Sequence, residues 1–308
     1  MSDPMQEQAA RKSSMMAGYA AITIVGILIF IKAVAYFMTG SVSILSSLTD
    51  SIVDSLVSVM ALMSILYAHR PADEDHRWGH GKMEAVSALF QSAMIIGGGA
   101  FLVFESINRL TQPNEVQSHV VGMSVMVVSI VLSIILVGVQ RRALQIHDSL
   151  AVEADSAHYG SDIIVNIGVL LVLFATAYGA PIWIDAAFAF GVALFMAYLA
   201  RGIAQKSMNM LMDREIPEDE RAQIIEIIEG EKGVLGWHDL RTRKNGATVV
   251  IAFDMEADGD QTLRDAHNIS KEIENKLIKI FPFAEIFIHI DPQGDTDDAR
   301  HRVKGVHK

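Results

Sequence analysis

Six stretches of about twenty largely apolar residues limit this chain to a membrane fold, because that is the length a helix needs to cross a bilayer. They run approximately Met15–Met38, Ser43–Tyr67, Ala85–Ile107, Val120–Val139, Ala151–Tyr178 and Ile182–Ile203. A hydrophobic content of 51% and a mean hydropathy of +0.32 fit the membrane class. Arg11 and Lys12 precede the first run as in a signal peptide. The run is longer than the roughly 7–15 residues of a signal core, so it reads as a retained helix. There is no cysteine, hence no disulfide framework and no thiolate metal site. A net charge of −11 argues against nucleic-acid binding, which needs clustered Lys and Arg.

Short-loop charges predict the orientation. With the N-terminus inside, Arg11, Lys12, Arg70, Arg77, Lys82, Arg141, Arg142 and Arg201 fall on one side. The opposite breaks at Met38–Ser43 and Ala177–Pro181 have no basic residue, and Arg109 stands alone at the third. Both termini are therefore expected in the cytoplasm. Residues 1–14 read as a cytoplasmic tail and 15–212 as a six-helix transmembrane bundle.

From Asp213 the hydropathy falls. Pro217 and the acidic Glu218, Asp219 and Glu220 open a helix that runs to about Gly230, since acidic groups suit a helix N-terminus. Val234–Lys244 and Ala247–Glu256 read as strands around Asn245-Gly246, a tight-turn dipeptide. Thr262–Ile280 has helical periodicity and Glu285–Ile290 reads as a strand. The order αββαβ over 213–292 predicts a small α+β sheet domain with helices on one face. Residues 293–308 are polar and expected to be disordered.

The chemistry lies inside the apolar segments. Asp50 and Asp54 are four apart in the second, and His158 and Asp162 repeat that spacing in the fifth, so each pair shares a helix face. Each intramembrane carboxylate costs roughly 2.5–3.5 kcal/mol, so these groups must be paired, hydrated or bound to metal. A lone membrane Asp or His is as often a packing residue as a ligand; two i,i+4 pairs together favour a site. Three carboxylates and one imidazole suit zinc, and also ferrous iron and other late divalent ions. Asp155, nearer the cytoplasmic end, is placed to attract cations without binding them. Asn166 is expected to make an interhelical hydrogen bond. Lys32 in the first span either snorkels or pairs with Glu105. Gly79-His80-Gly81-Lys82 lacks the spacing and the Ser or Thr of a phosphate loop, so no nucleotide site is expected.

Asp-x-x-x-Asp in the second span and His-x-x-x-Asp in the fifth resemble the cation diffusion facilitator family. Gly40-Ser41-Val42-Ser43-Ile44-Leu45, Gly79-His80-Gly81-Lys82-Met83-Glu84, His238-Asp239-Leu240-Arg241-Thr242-Arg243 and His289-Ile290-Asp291-Pro292 agree with it. The likeness runs from about Ala17 to Pro292 and is nearest the bacterial zinc and ferrous-iron efflux branch. It implies a homodimeric, proton-coupled exporter in the inner membrane with a ferredoxin-like cytoplasmic domain. It implies a transport site at Asp50, Asp54, His158 and Asp162, and a loop site at Asp73, His76 and His80. A tail-domain site falls on His238, His267, His289 and Asp291. There Asp254 stands where the nearest relatives carry His, and an aspartate favours harder ions. Lys82 and Asp213 match an interhelical charge pair.

Metal binding needs ionised carboxylates and neutral imidazole, so it competes with protons. An unperturbed His titrates near pH 6.5, which marks His158 as the expected proton carrier. The expected activity is proton-coupled export of zinc or ferrous iron, with cadmium also accommodated, by alternating access. A membrane metal sensor, or an intramembrane metalloenzyme, is the alternative. A hydrolase needs a general base at an open metal position, and the chain has no His-Glu-x-x-His motif.

Overall fold

The computed structural model describes residues 4–111, 120–181 and 183–294. Six long helices come first: α1 (Pro4–Thr39), α2 (Val42–Ala68), α3 (Met83–Thr111), α4 (Val120–Ile146), α5 (Leu150–Ala177) and α6 (Trp183–Leu211). Among the described residues five of them, all but α5, are long and apolar enough to cross a membrane. The chain is thus a multi-pass bundle. α5 is a full 28-residue helix whose first half carries Glu153, Asp155, His158 and Asp162, which lower its hydropathy.

Several helices outrun the apolar stretches that define them. α1 starts at Pro4, inside the segment expected to be a tail, and α4 and α6 continue past Val139 and Ile203 to Ile146 and Leu211. A helix satisfies its own backbone hydrogen bonds, so leaving the apolar stretch does not by itself end it. Phe30, Phe37, Phe101, Phe104, Leu171, Phe174 and Tyr198 are exposed on the bundle, as lipid-facing positions would be.

Inside the bundle α3 packs most extensively on α6, while α1 lies against α2 and α4, and α4 against α5. Small residues permit the approach: a Cβ on Gly99 of α3 would sit 3.4 Å from Ala193 Cα of α6. α2 meets α5 directly, so the two polar helices face each other.

The small domain follows as α7 (Glu218–Glu229), β1 (Gly236–Asn245), β2 (Thr248–Ala257), α8 (Leu263–Ile280) and β3 (Glu285–Pro292). The expected order αββαβ is what forms. β1 pairs antiparallel with β2 through the Asn245-Gly246 turn, where Gly246 has φ 62°, and β3 adds parallel to β2. Period-two alternation sends Ile251, Phe253 and Met255 into a core with Ile224, Ile228, Ile273 and Leu277 from α7 and α8. Each such side chain contributes about 1.5–3 kcal/mol on burial. Asp254 and Glu256 therefore lie on the opposite face. Thr262 caps α8 by accepting from the Asp265 amide at 3.2 Å. Residues 295–308, expected to be disordered, lie outside the described residues.

The two parts meet where the loop after α2 touches the β1–β2 turn. Asn245 Nδ2 donates to the Trp78 carbonyl. A Cβ on Gly81 would fall 2.6 Å from the Asn245 carbonyl oxygen, closer than backbone can tolerate. Gly81→Ala is expected to destabilise the full-length protein by about 1–3 kcal/mol, the range for overpacking a filled contact. Gly202→Ala on α6, where a Cβ meets nothing within 4 Å, is expected to be neutral or slightly stabilising. Thermal unfolding in one detergent compares the two.

Candidate metal centres

Three groups of His and carboxylate side chains converge among the described residues, each with ligand atoms within 4.8 Å of one another. The first lies between α2 and α5. His158 Nε2 is 3.1 Å from Asp54 Oδ1 and 3.8 Å from Asp162 Oδ2. Two donor atoms on one tetrahedral zinc, each about 2.0–2.2 Å from it, are roughly 3.4 Å apart, so the trio fits a single ion. The His158 side chain is 12% exposed and that of Asp54 is 24% exposed, which leaves the group reachable yet largely screened. His158 Nδ1 is buried with no hydrogen-bond partner among the described residues. Asp50, one turn before Asp54, is exposed and is not within this close group.

A polar layer one turn away holds the helices in register. Asp155 is 3% exposed, accepts from Ser58 Oγ of α2 at 3.2 Å, and accepts from Gln140 Nε2 of α4 at 2.6 Å. The Tyr159 hydroxyl meets Ser58 Oγ at 2.8 Å. Asp155 is therefore an interior cross-link, where its position near the cytoplasmic end suggested a group that attracts cations without binding them. Asn166 donates to the Asp162 carbonyl of its own helix at 2.8 Å, so the expected interhelical bond is replaced by an i−4 bond. Lys32, 8% exposed, donates to the Ser47 carbonyl at 3.1 Å and to Ser51 Oγ at 2.6 Å. Its ammonium is anchored on α2 beside the acidic pair, so of the two alternatives left open for it snorkelling is not seen.

The second group is in the loop between α2 and α3. Asp73 Oδ1 accepts from the His76 amide at 2.7 Å and faces His76 Nδ1 at 3.2 Å; its Oδ2 is 3.2 Å from His80 Nε2. The His76 backbone amide, ahead of the burial that opposes it, holds the Asp73 carboxyl below its ordinary value. His80 is buried against Tyr67, edge to face at 4.6 Å.

The third group lies on the open face of the sheet. Strand register places His238, Asp254 and His289 on one rung, with Glu256 opposite Asp291 on the rung two residues on. His238 Nδ1 is 3.4 Å from Asp254 Oδ2, and its Nε2 is 3.8 Å from Asp291 Oδ2. Burial raises the Asp254 carboxyl, against the pull of His238 and His289. Asp239, with φ 51°, sits in a register shift that follows His238. His289 pairs with Asp291 at 3.0 Å at the edge of the group, and His267 on α8 is exposed outside it. Glu256, 3.9 Å from His238 Nε2, belongs here and was not singled out in the sequence. Its i,i+2 spacing from Asp254 on a strand was the available signal.

Lys82 and Asp213 form the expected pair at 2.9 Å, and Arg243 of β1 joins at 3.3 Å while covering the Trp78 ring at 4.6 Å. Asp213 ends α6 with φ 54°. Partial burial pushes its carboxyl up, but the bonds and charges of Lys82 and Arg243 outweigh that and hold it below its ordinary value. A depressed folded pKa stabilises above the unfolded value near about 4 and fades as pH falls further. Asp213→Asn is expected to lower stability by up to about 1 kcal/mol equally at pH 8 and pH 6, since the pair is part-exposed. Melting curves should show the gap to the unmodified protein closing below about pH 4.

A family model for the cation efflux transmembrane domain matches residues 19–212, and one for the cytoplasmic domain of cation efflux proteins matches residues 216–293. The cation-efflux pump FieF of Shewanella oneidensis is 43% identical over 277 residues, covering 90% of this chain and 93% of the relative. FieF of Yersinia pestis is 38% identical over 285 residues, covering 92% and 95%. Among solved structures, the metal-bound C-terminal domain of the CzcD transporter from Thermotoga maritima is 29% identical and aligns over 26% of this chain and 93% of that one, with a TM-score of 0.25.

Proposed function

This chain belongs to the cation efflux family, and on that premise we propose that it exports a divalent metal cation from the cytoplasm in exchange for protons. As a family member it is a secondary transporter and not an enzyme. The observation that carries the reading is the convergence of Asp54, His158 and Asp162 between α2 and α5. Asp50 completes the transport site on this reading, one helical turn along the face that carries Asp54. Zinc and ferrous iron are the proposed substrates because imidazole and carboxylate donors suit both, and cadmium is accommodated.

The site's chemistry supplies the coupling. The ion needs ionised carboxylates and an imidazole lone pair, so a proton and a metal compete for the same ring nitrogen of His158. Histidine is the side chain whose ordinary pKa lies closest to physiological pH, which makes His158 the proposed proton carrier. In the outward-facing state entering protons displace the ion. In the inward-facing state the higher cytoplasmic pH clears them and metal rebinds. α5 is the sixth crossing on this reading, because its polar half faces α2 and not lipid. Both termini lie in the cytoplasm of a bacterial inner-membrane protein, with residues 1–14 leading into a bundle that ends near 212. The tail of 213–292 is a ferredoxin-like domain that pairs two copies into a homodimer. It binds metal through His238, Asp254, His289 and Asp291, with His267 as an outer ligand. Asp73, His76 and His80 form a loop site.

The test is zinc-driven proton flux in sealed vesicles holding the purified protein. Zinc uptake should generate an opposing proton flux and accelerate when a pH gradient is imposed. Asp54→Ala and His158→Ala should reduce metal flux by at least a hundredfold while leaving the folded protein intact by melting temperature. Zinc uptake indifferent to the pH gradient would sink the coupling. Undiminished flux in Asp54→Ala would remove that residue from the site.

A further inference from the structure

His69 and His147 also lie outside the three groups above. His69 is the C-cap of α2, and His147 follows the last residue of α4. They are far apart in sequence, yet their ring centroids are 6.0 Å apart with the planes inclined at 57°. Two imidazoles bound through nitrogen to one tetrahedral zinc, at about 2.0–2.1 Å each, have ring centres roughly 5 Å apart. A rotamer adjustment of about an ångström closes that difference.

The tautomer of His69 is set by its own helix. Its Nδ1 lies 2.8 Å from the Ile65 carbonyl oxygen, which can only accept, so Nδ1 carries a proton and Nε2 is the nitrogen left to ligate a metal in the neutral ring. Metal-bound histidines are commonly oriented in this way, with the second ring nitrogen donating to a backbone carbonyl.

Both rings line a cavity of about 580 Å³ between the helix ends and the small domain. Glu84, Glu285, Arg11 and Arg70 line the same cavity. Glu84 is 4% exposed and accepts from Ser149 Oγ at 2.7 Å, which fixes its position at the cavity wall. The cavity has room for solvent to complete a coordination sphere.

We propose that His69 and His147 form a further metal site, binding a late divalent cation of the zinc class where α2, the α4–α5 connection and the small domain meet. A bound ion ties the end of α2, which also carries Asp54, to the start of α5, which carries His158. The competing arrangement is a plain aromatic cluster, because His147 also meets Phe283 edge-on at 6.3 Å. That arrangement holds no metal.

The experiment uses the full-length protein in detergent, dialysed to equilibrium against fixed free zinc, with bound zinc counted per chain. His69→Asn and His147→Asn are made singly and together. The double variant should bind one zinc fewer per chain, and each single variant should weaken that zinc at least tenfold. Crystals of the unmodified protein should show an anomalous zinc peak between the two rings. Equal zinc content in the double variant, or no peak there while the Asp54–His158 site is filled, would overturn the site and leave the aromatic cluster. If the double variant fails to fold, the anomalous map of the unmodified protein decides alone. Asp54→Ala should keep the zinc at His69 and His147, so this site and the transport reading fail independently.

Discussion

The cost of placing ionised groups among apolar helices is the constraint on which the rest of the structure depends. Asp54, Asp155, His158 and Asp162 sit on two helices of a bundle whose outer surface is largely isoleucine, valine, phenylalanine and methionine. An unpaired charge in that setting is opposed by several kcal/mol, so α2, α4 and α5 are arranged to give each one a partner. Asp155 receives Ser58 and Gln140; Asp54 and Asp162 face His158. On the proposed function the partner of the second set is exchangeable, because the atoms are spaced for one small cation as well as for a proton. Asp155 and Asp162 thus stand two turns apart on the same helix and differ in what satisfies them. Asp155 is closed off by neutral donors from two other helices, and Asp162 is left to an imidazole.

The junction between bundle and small domain is built on similar terms. Lys82 from the start of α3, Asp213 from the end of α6 and Arg243 from β1 share charge at one point. Trp78 is covered by Arg243 and meets Phe287 at 5.4 Å, so the loop bearing Asp73, His76 and His80 is held against the sheet. The close approach of Gly81 to Asn245 fixes the spacing. A displacement of the small domain would therefore be felt at the loop group and at the ends of α3 and α6, which pack most closely on each other. That places the tail-domain group in mechanical continuity with the bundle.

Much of the candidate site was legible because the periods involved are short. The i,i+4 spacing of Asp50 with Asp54, and of His158 with Asp162, places each pair on one face wherever a helix forms. Period-two alternation likewise separated Ile251, Phe253 and Met255 from Asp254 and Glu256. What stayed hidden depended on contacts between distant elements. The role of Asp155 turns on Ser58 and Gln140, 97 and 15 residues away. Asn166 chose its own helix over a neighbour, a choice that spacing leaves open. Lys32 is anchored by Ser47 and Ser51, which no charge-pairing argument would nominate.

By itself the sequence determined the apolar segments, the order αββαβ, the Asn245-Gly246 turn and the two ligand pairs, since each follows from hydropathy or periodicity over a few residues. Only the tertiary structure decided that Asp54 is the member of its pair drawn into contact with His158, while Asp50 stays outside the close group. It alone put His238, Asp254 and His289 on one rung, brought Glu256 to them, and set His69 beside His147. The physical reason is that local pattern says which face a side chain occupies, whereas helix packing and strand register decide what that face meets.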